Sequence, residues 1–104
     1  MYIIIWEYQV KAERIQEFEE IYSSSGDWAK LFQKSRGYLG TELLSHAREP
    51  QHYITVDRWS SPQEYESFLS EWKNEYQLLD AQCEGLTEWE TPLGRWESIS
   101  SETR

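Results

Sequence analysis

Cysteine is almost absent from this chain: Cys83 stands alone among 104 residues. No intramolecular disulfide and no cysteine-built metal cage can form, and Cys83 reads as a small hydrophobe near a helix end. Basic residues are also scarce, 10 Lys and Arg against 19 Asp and Glu, for a formal charge of −9. Neutralising phosphates takes clustered cations, so no nucleic-acid partner is expected, and no anionic membrane surface either. The excess negative charge reads as a solubility feature. Long apolar runs are missing: the stretch from Tyr2 to Trp6 is interrupted by Glu7 and has no basic lead-in. That is too short for a signal peptide or a membrane span, so a cytoplasmic location is expected. Nor is there a glycine-rich phosphate loop, a nucleophile elbow or an HExxH motif.

Aromatic residues are plentiful instead: six Trp, seven Tyr and three Phe. So much bulky apolar surface argues for one ordered globular domain rather than a disordered chain. The domain is expected over residues 1–97, followed by a frayed polar tail at 98–104.

The periodicity outlines its elements. From Tyr2 to Val10, the residues Tyr2, Ile4, Trp6, Tyr8 and Val10 share one face, and Ile3 and Ile5 begin the other. A strand apolar on both faces suits the middle of a sheet. Between Ala12 and Tyr22 the spacing becomes helical, with Ile15, Phe18, Ile21 and Tyr22 inward. Asp27 is a candidate cap for a second, short helix carrying Trp28, Leu31 and Phe32, which Gly37 would terminate. A second strand is expected over Tyr38–His46 and a third over His52–Trp59, joined by a hairpin loop. Ser61-Pro62-Gln63-Glu64 has the makings of a capping box. The stripe from Tyr65 to Cys83 that follows would make a helix roughly 35 Å long, so a break is expected near Lys73-Asn74. Leu86–Thr91 reads as strand four, with Pro92-Leu93-Gly94 turning the chain.

The order strand, helix, strand, strand, helix, strand is a split βαβ unit repeated once. That predicts an α+β, ferredoxin-like domain with a four-stranded antiparallel sheet, strands one and three central. Helices cover only one face of such a sheet. Burying the other against a second copy predicts a homodimer through sheet faces.

Three segments carry a family resemblance: Val10-Lys11 ahead of a helix with Phe18, Gly37-Tyr38-Leu39-Gly40, and Asp57-Arg58-Trp59-Ser60 ahead of Tyr65. With them the chain resembles the antibiotic biosynthesis monooxygenase family of the dimeric α/β-barrel superfamily, from Tyr2 to about Trp96. The resemblance implies that barrel, and a cofactor-independent monooxygenase or oxidoreductase acting on a small aromatic or quinol-type substrate. Haem-degrading relatives use an Asn on strand one with a Trp and a His on the later helix. The matching places here hold Trp6, Phe68 and Leu78, so haem degradation is disfavoured. A non-catalytic small-molecule-binding or stress-response domain of the same fold is the alternative.

Quinol oxidation without a cofactor needs a base, a cation and an apolar wall. Arg58 shares a strand face with Ile54 and Val56 and is the candidate cation; an ion pair with Glu7 or Glu42 is its structural alternative. His46 and His52 flank the hairpin loop and are candidate bases. With Glu49 they can be drawn as a metal site, but two histidines at a surface turn read first as solvated, and no metal is assigned. Trp6, Trp28, Phe32, Tyr65, Phe68 and Trp72 are candidates to line a pocket for a flat aromatic molecule, or else ordinary core.

Overall fold

A computed structural model describes residues 1–99. Four strands, β1 (Tyr2–Val10), β2 (Tyr38–Ser45), β3 (His52–Trp59) and β4 (Thr87–Glu97), form one antiparallel sheet in the order β2-β3-β1-β4. The two central strands are those the sequence predicts. Helices α1 (Ile15–Tyr22), α2 (Asp27–Phe32), α3 (Pro62–Glu71) and α4 (Lys73–Cys83) cover one face. None of them is long and apolar enough to cross a membrane.

Alternation along the strands decides which side chains meet the helices. Tyr2, Ile4, Tyr8 and Val10 of β1 are buried beneath them, as are Tyr53, Thr55 and Trp59 of β3. Phe18 and Tyr22 of α1, Trp28, Ala29, Leu31 and Phe32 of α2, and Tyr65 and Phe68 of α3 extend the core. Most of its rings meet edge-on or tilted, as with Phe32 against Trp59 and Phe68, each at 5.4 Å, while Phe18 and Tyr22 stack at 4.2 Å. The edge-on geometry sets the positive edge of one ring on the negative face of the next.

Several boundaries differ from expectation. Gly26, not Asp27, occupies the cap position of α2. Ser61 does cap α3, its Oγ accepting from Glu64 N at 3.2 Å. The reciprocal half of the capping box is replaced by an ion pair between Glu64 and Arg36 at 3.6 Å. The long helical stripe breaks at Trp72, one residue before the expected place, where φ −114° and ψ 30° leave helical geometry. Pro92-Leu93-Gly94 does not turn the chain away. Strand β4 runs through it to Glu97, and the register against β1 jumps from Pro92 opposite Trp6 to Arg95 opposite Ile4. Leu93 and Gly94 thus share the place opposite Ile5, one residue in excess, and Gly94 takes a positive φ of 103° in this bulge. Of the expected tail, Ser98 N donates to Met1 O at 2.9 Å; residues 100–104 lie outside the described part.

Two glycines shape the entry to β2 for different reasons. Gly40 adopts φ +140° at a register shift against β3, a conformation costly for any side chain. Gly37 is sterically required: a Cβ there would fall 2.3 Å from Glu64 Cβ. Gly37→Ala should therefore lower the unfolding free energy by about 1–3 kcal/mol, read as a lower urea midpoint at unchanged slope.

Candidate active site

A cavity of about 150 Å³ lies between the helix-facing side of the sheet and helices α1, α2 and α4. The strand register assembles its floor. Trp6 on β1 sits opposite Thr55 on β3, Thr41 on β2 opposite Asp57 on β3, and Tyr8 on β1 opposite Glu90 on β4. Tyr22, Trp28, Phe32 and Tyr76 close the walls from the helices, and Asp80 joins Glu90 among the exposed lining residues. A cavity of this volume is enough for one benzene-sized ring.

The polar groups on the floor are ordered. Thr41 Oγ1 donates to Asp57 Oδ1 at 2.6 Å, which leaves its own oxygen to accept from Tyr38 Oη, also at 2.6 Å. Tyr8 Oη and Thr55 Oγ1 bond to each other at 2.8 Å. Asp57 Oδ2 has no hydrogen-bond partner among the described residues. Trp28 Nε1, near the Tyr22 hydroxyl and the Cys83 thiol, meets neither in hydrogen-bonding geometry.

Burial sets the protonation states. It pushes the Asp57 carboxyl from 3.8 up to about 6, although the bond from Thr41 favours the charged form. The phenols of Tyr8, Tyr22 and Tyr76 are raised by the same burial and stay protonated at neutral pH. Burial and the nearby Asp80 charge also raise Glu90. Asp57 is therefore a carboxylate poised near neutrality among cavity tyrosines that keep their protons.

The structure gathers some of the predicted site residues and disperses others. Trp6, Trp28 and Phe32 line the cavity. Tyr65 and Phe68 are core residues, packed on Trp59 at 5.1 and 5.4 Å. Trp72 is half-buried on the helical layer with Lys34 Nζ 4.8 Å above its ring. Arg58, His46 and His52 are not among the cavity residues. Arg58 and His52 alternate with Asp57 and Tyr53 onto the uncovered face of β3, where Arg58 pairs with Glu42 at 3.4 Å and His52 Nε2 with Glu7 at 2.5 Å. His46 Nδ1 accepts the backbone N–H groups of Arg48 and Glu49, so it staples the hairpin loop, and its ring stacks on His52 at 5.2 Å. Of the three places matched to the haem-cleaving pattern, Trp6 lines the cavity, Phe68 is wholly core and Leu78 is 63% exposed.

Sequence reading missed Asp57, Thr41, Asp80 and Glu90. For Asp57 a signal existed: a carboxylate in phase with Tyr53, Thr55 and Trp59, on the face of a strand that must be buried.

The raised Asp57 pKa links to stability. Between about pH 4 and 6 the folded chain retains a proton that the unfolded chain has released, so this contribution is present in acid and lost as pH rises through 6. Asp57→Asn, which cannot ionise, should gain on the wild type by about 2 kcal/mol between pH 4 and pH 7, measured by urea unfolding of both proteins at each pH.

The profile of the antibiotic biosynthesis monooxygenase family matches residues 1–71. No curated protein matches the chain. Among solved structures, a variant of SnoaB, a cofactor-independent oxygenase from Streptomyces nogalater, superposes with a TM-score of 0.72 at 15% identity, over 99% of this chain and 97% of that one. A putative antibiotic biosynthesis monooxygenase from Deinococcus radiodurans gives 0.75 at 16% identity, over 97% and 95%. A variant of MhuD, with two manganese protoporphyrin IX bound per active site, gives 0.66 at 20% identity, over 97% of each chain. At these identities the superpositions establish the ferredoxin-like fold, and the profile match establishes the lineage: the chain belongs to the antibiotic biosynthesis monooxygenase family.

Proposed function

We propose that this protein is a cofactor-independent monooxygenase of a small hydroxylated aromatic ring, with Asp57 as the general base. The observation that carries this reading is the free Asp57 oxygen on the floor of an aromatic cavity sized for one ring. The neighbour described as a cofactor-independent oxygenase supports the same chemistry.

The ring would bind with its hydroxyl against Asp57. Moving a phenolic proton from a pKa of about 10 to a carboxylate near 6 is uphill by about 4 units, or ~5 kcal/mol. That is a tolerable fraction of an enzymatic barrier. The resulting phenolate is electron-rich at its ortho and para carbons and can reduce molecular oxygen there, forming a carbon–oxygen bond to a peroxide. The O–O bond then breaks as that carbon loses its hydrogen and becomes a carbonyl. The departing oxygen leaves as hydroxide and takes back the proton held by Asp57. Phenol and oxygen thus become quinone and one water, the ring supplying all four electrons. The aromatic walls exclude bulk water, which would quench the anion by protonation.

Asp57→Asn should reduce oxygen uptake with a phenol or hydroquinone panel by about 10²–10⁴-fold while the fold persists. Wild-type turnover should rise with pH through about 6 and then level. Thr41→Val deletes a hydrogen bond to the carboxylate, so it should move that midpoint upward. Heat-sensitive uptake that Asp57→Asn leaves intact would exclude Asp57 as the base.

The uncovered sheet face completes the reading. Ile3, Ile5, Ile54 and Val56 lie there half-exposed, beside Leu44 and Trp89, each 43% exposed, and Trp96 at 55%. These apolar side chains, set among paired charges, support a homodimer with sheets face to face. Sedimentation at micromolar concentration should give a dimer, and Ile54→Glu, placing a charge at its middle, should give monomers.

A further inference from the structure

The cavity is lined by carboxylates and by no cation. Asp57 is at its floor, Asp80 on α4 and Glu90 on β4 are exposed at its rim, and no Lys, Arg or His is among its lining residues. Among the described residues none of these three carboxylates has a salt-bridge partner. The rim pair stands uncompensated, each charge opposing the other; the nearby Asp80 charge is one of the causes that raise Glu90. Asp57, partly buried, lines the cavity with one of its carboxylate oxygens free of any hydrogen bond among the described residues. Trp6, Trp28, Phe32 and Tyr76 supply aromatic rings to the walls. Aromatic rings attract cations through their quadrupoles, and carboxylates do so by charge. Anions meet the reverse of both.

We infer that the preferred ligand is a phenol bearing a positively charged amine on a short chain. The hydroxyl seats on Asp57, the ring fills the aromatic cavity, and the ammonium group sits between Asp80 and Glu90. Phenols with an anionic tail are rejected at the rim. This rests on the reading of the cavity as the substrate site, and it adds the charge of the substrate, which family and fold leave open. The arrangement also suits the chemistry: a cation on the ligand offsets the negative charge that forms on the ring when Asp57 removes its proton.

The test uses three ligands of similar shape on the full chain: tyramine (cationic), 4-ethylphenol (neutral) and 3-(4-hydroxyphenyl)propanoate (anionic). Binding is followed by quenching of tryptophan fluorescence, since Trp6 and Trp28 line the cavity. Tyramine should bind about tenfold more tightly than the neutral phenol, and the anion about tenfold more weakly, the differences shrinking with added salt. Asp80 and Glu90 are exposed, so Asp80→Asn with Glu90→Gln should fold normally and compress the three affinities to within about threefold. Equal affinities in the wild type, a preference for the anion, or no binding of any of the three at millimolar concentration would overturn the inference. Oxygen uptake on the same ligands separates it from the proposed activity. Selective tyramine binding without uptake supports the ligand class and removes the monooxygenase reading; uptake with no charge preference does the opposite.

Discussion

Trp59 ends β3 wholly buried, with the rings of Phe32, Tyr38, Tyr65 and Phe68 all centred 5.1–5.4 Å from its own. One indole thereby binds the central strand to α2, β2 and α3 at once. Aromatic contacts of this kind supply large buried area and prefer particular angles, so they fix where the helices sit above the sheet as well as that they sit there. Gly37 is a consequence of the same docking. With α3 held against β3, its Glu64 comes so close to the chain before β2 that no Cβ fits.

Two residues before Trp59, on the same face, the strand presents Asp57 to the space beneath α2 and α4. Taking a carboxylate out of water is unfavourable, and the raised proton affinity of Asp57 follows from it. The relay from Tyr38 through Thr41 partly offsets it and aims the group. A purely structural core would place an apolar residue there. A destabilising, oriented carboxylate in an aromatic cavity is the kind of local exception that function explains.

The two faces of β3 divide the labour. Tyr53, Thr55, Asp57 and Trp59 belong to the core and the cavity; His52, Ile54, Val56 and Arg58 belong to the uncovered face. Polar residues on that uncovered face are matched locally, Arg58 with Glu42 and His52 with Glu7, among aliphatic neighbours. A face built so is suited to meeting another protein surface rather than to reacting with a small molecule. On the proposed reading, the pleat of a single strand keeps chemistry and assembly apart.

Much of the architecture can be read directly from the chain, because the signals concerned are local. Alternation along Tyr2–Val10, helical spacing around Phe18, the Ser61-Pro62 start of α3 and the aromatic stripes all act over a few residues. Element order then restricts the topology to few choices. The exceptions arose where distant partners decide: Pro92-Leu93-Gly94 suggests a turn, yet pairing with β1 absorbs it as a bulge. The site is another such case. Trp6, Trp28 and Phe32 could be expected at the cavity because any large apolar wall tends to be aromatic. Arg58 is a candidate through the strand face it shares with Ile54 and Val56, and the histidines through residue type, but that face is the uncovered one, His52 shares it, and a loop bond occupies His46. Local pattern is enough to tell that β3 has a buried face and which residues share it. Only packing shows that this face opens into a cavity at Asp57, because β2, α4 and β4 bring Thr41, Asp80 and Glu90 there from positions far apart in the chain.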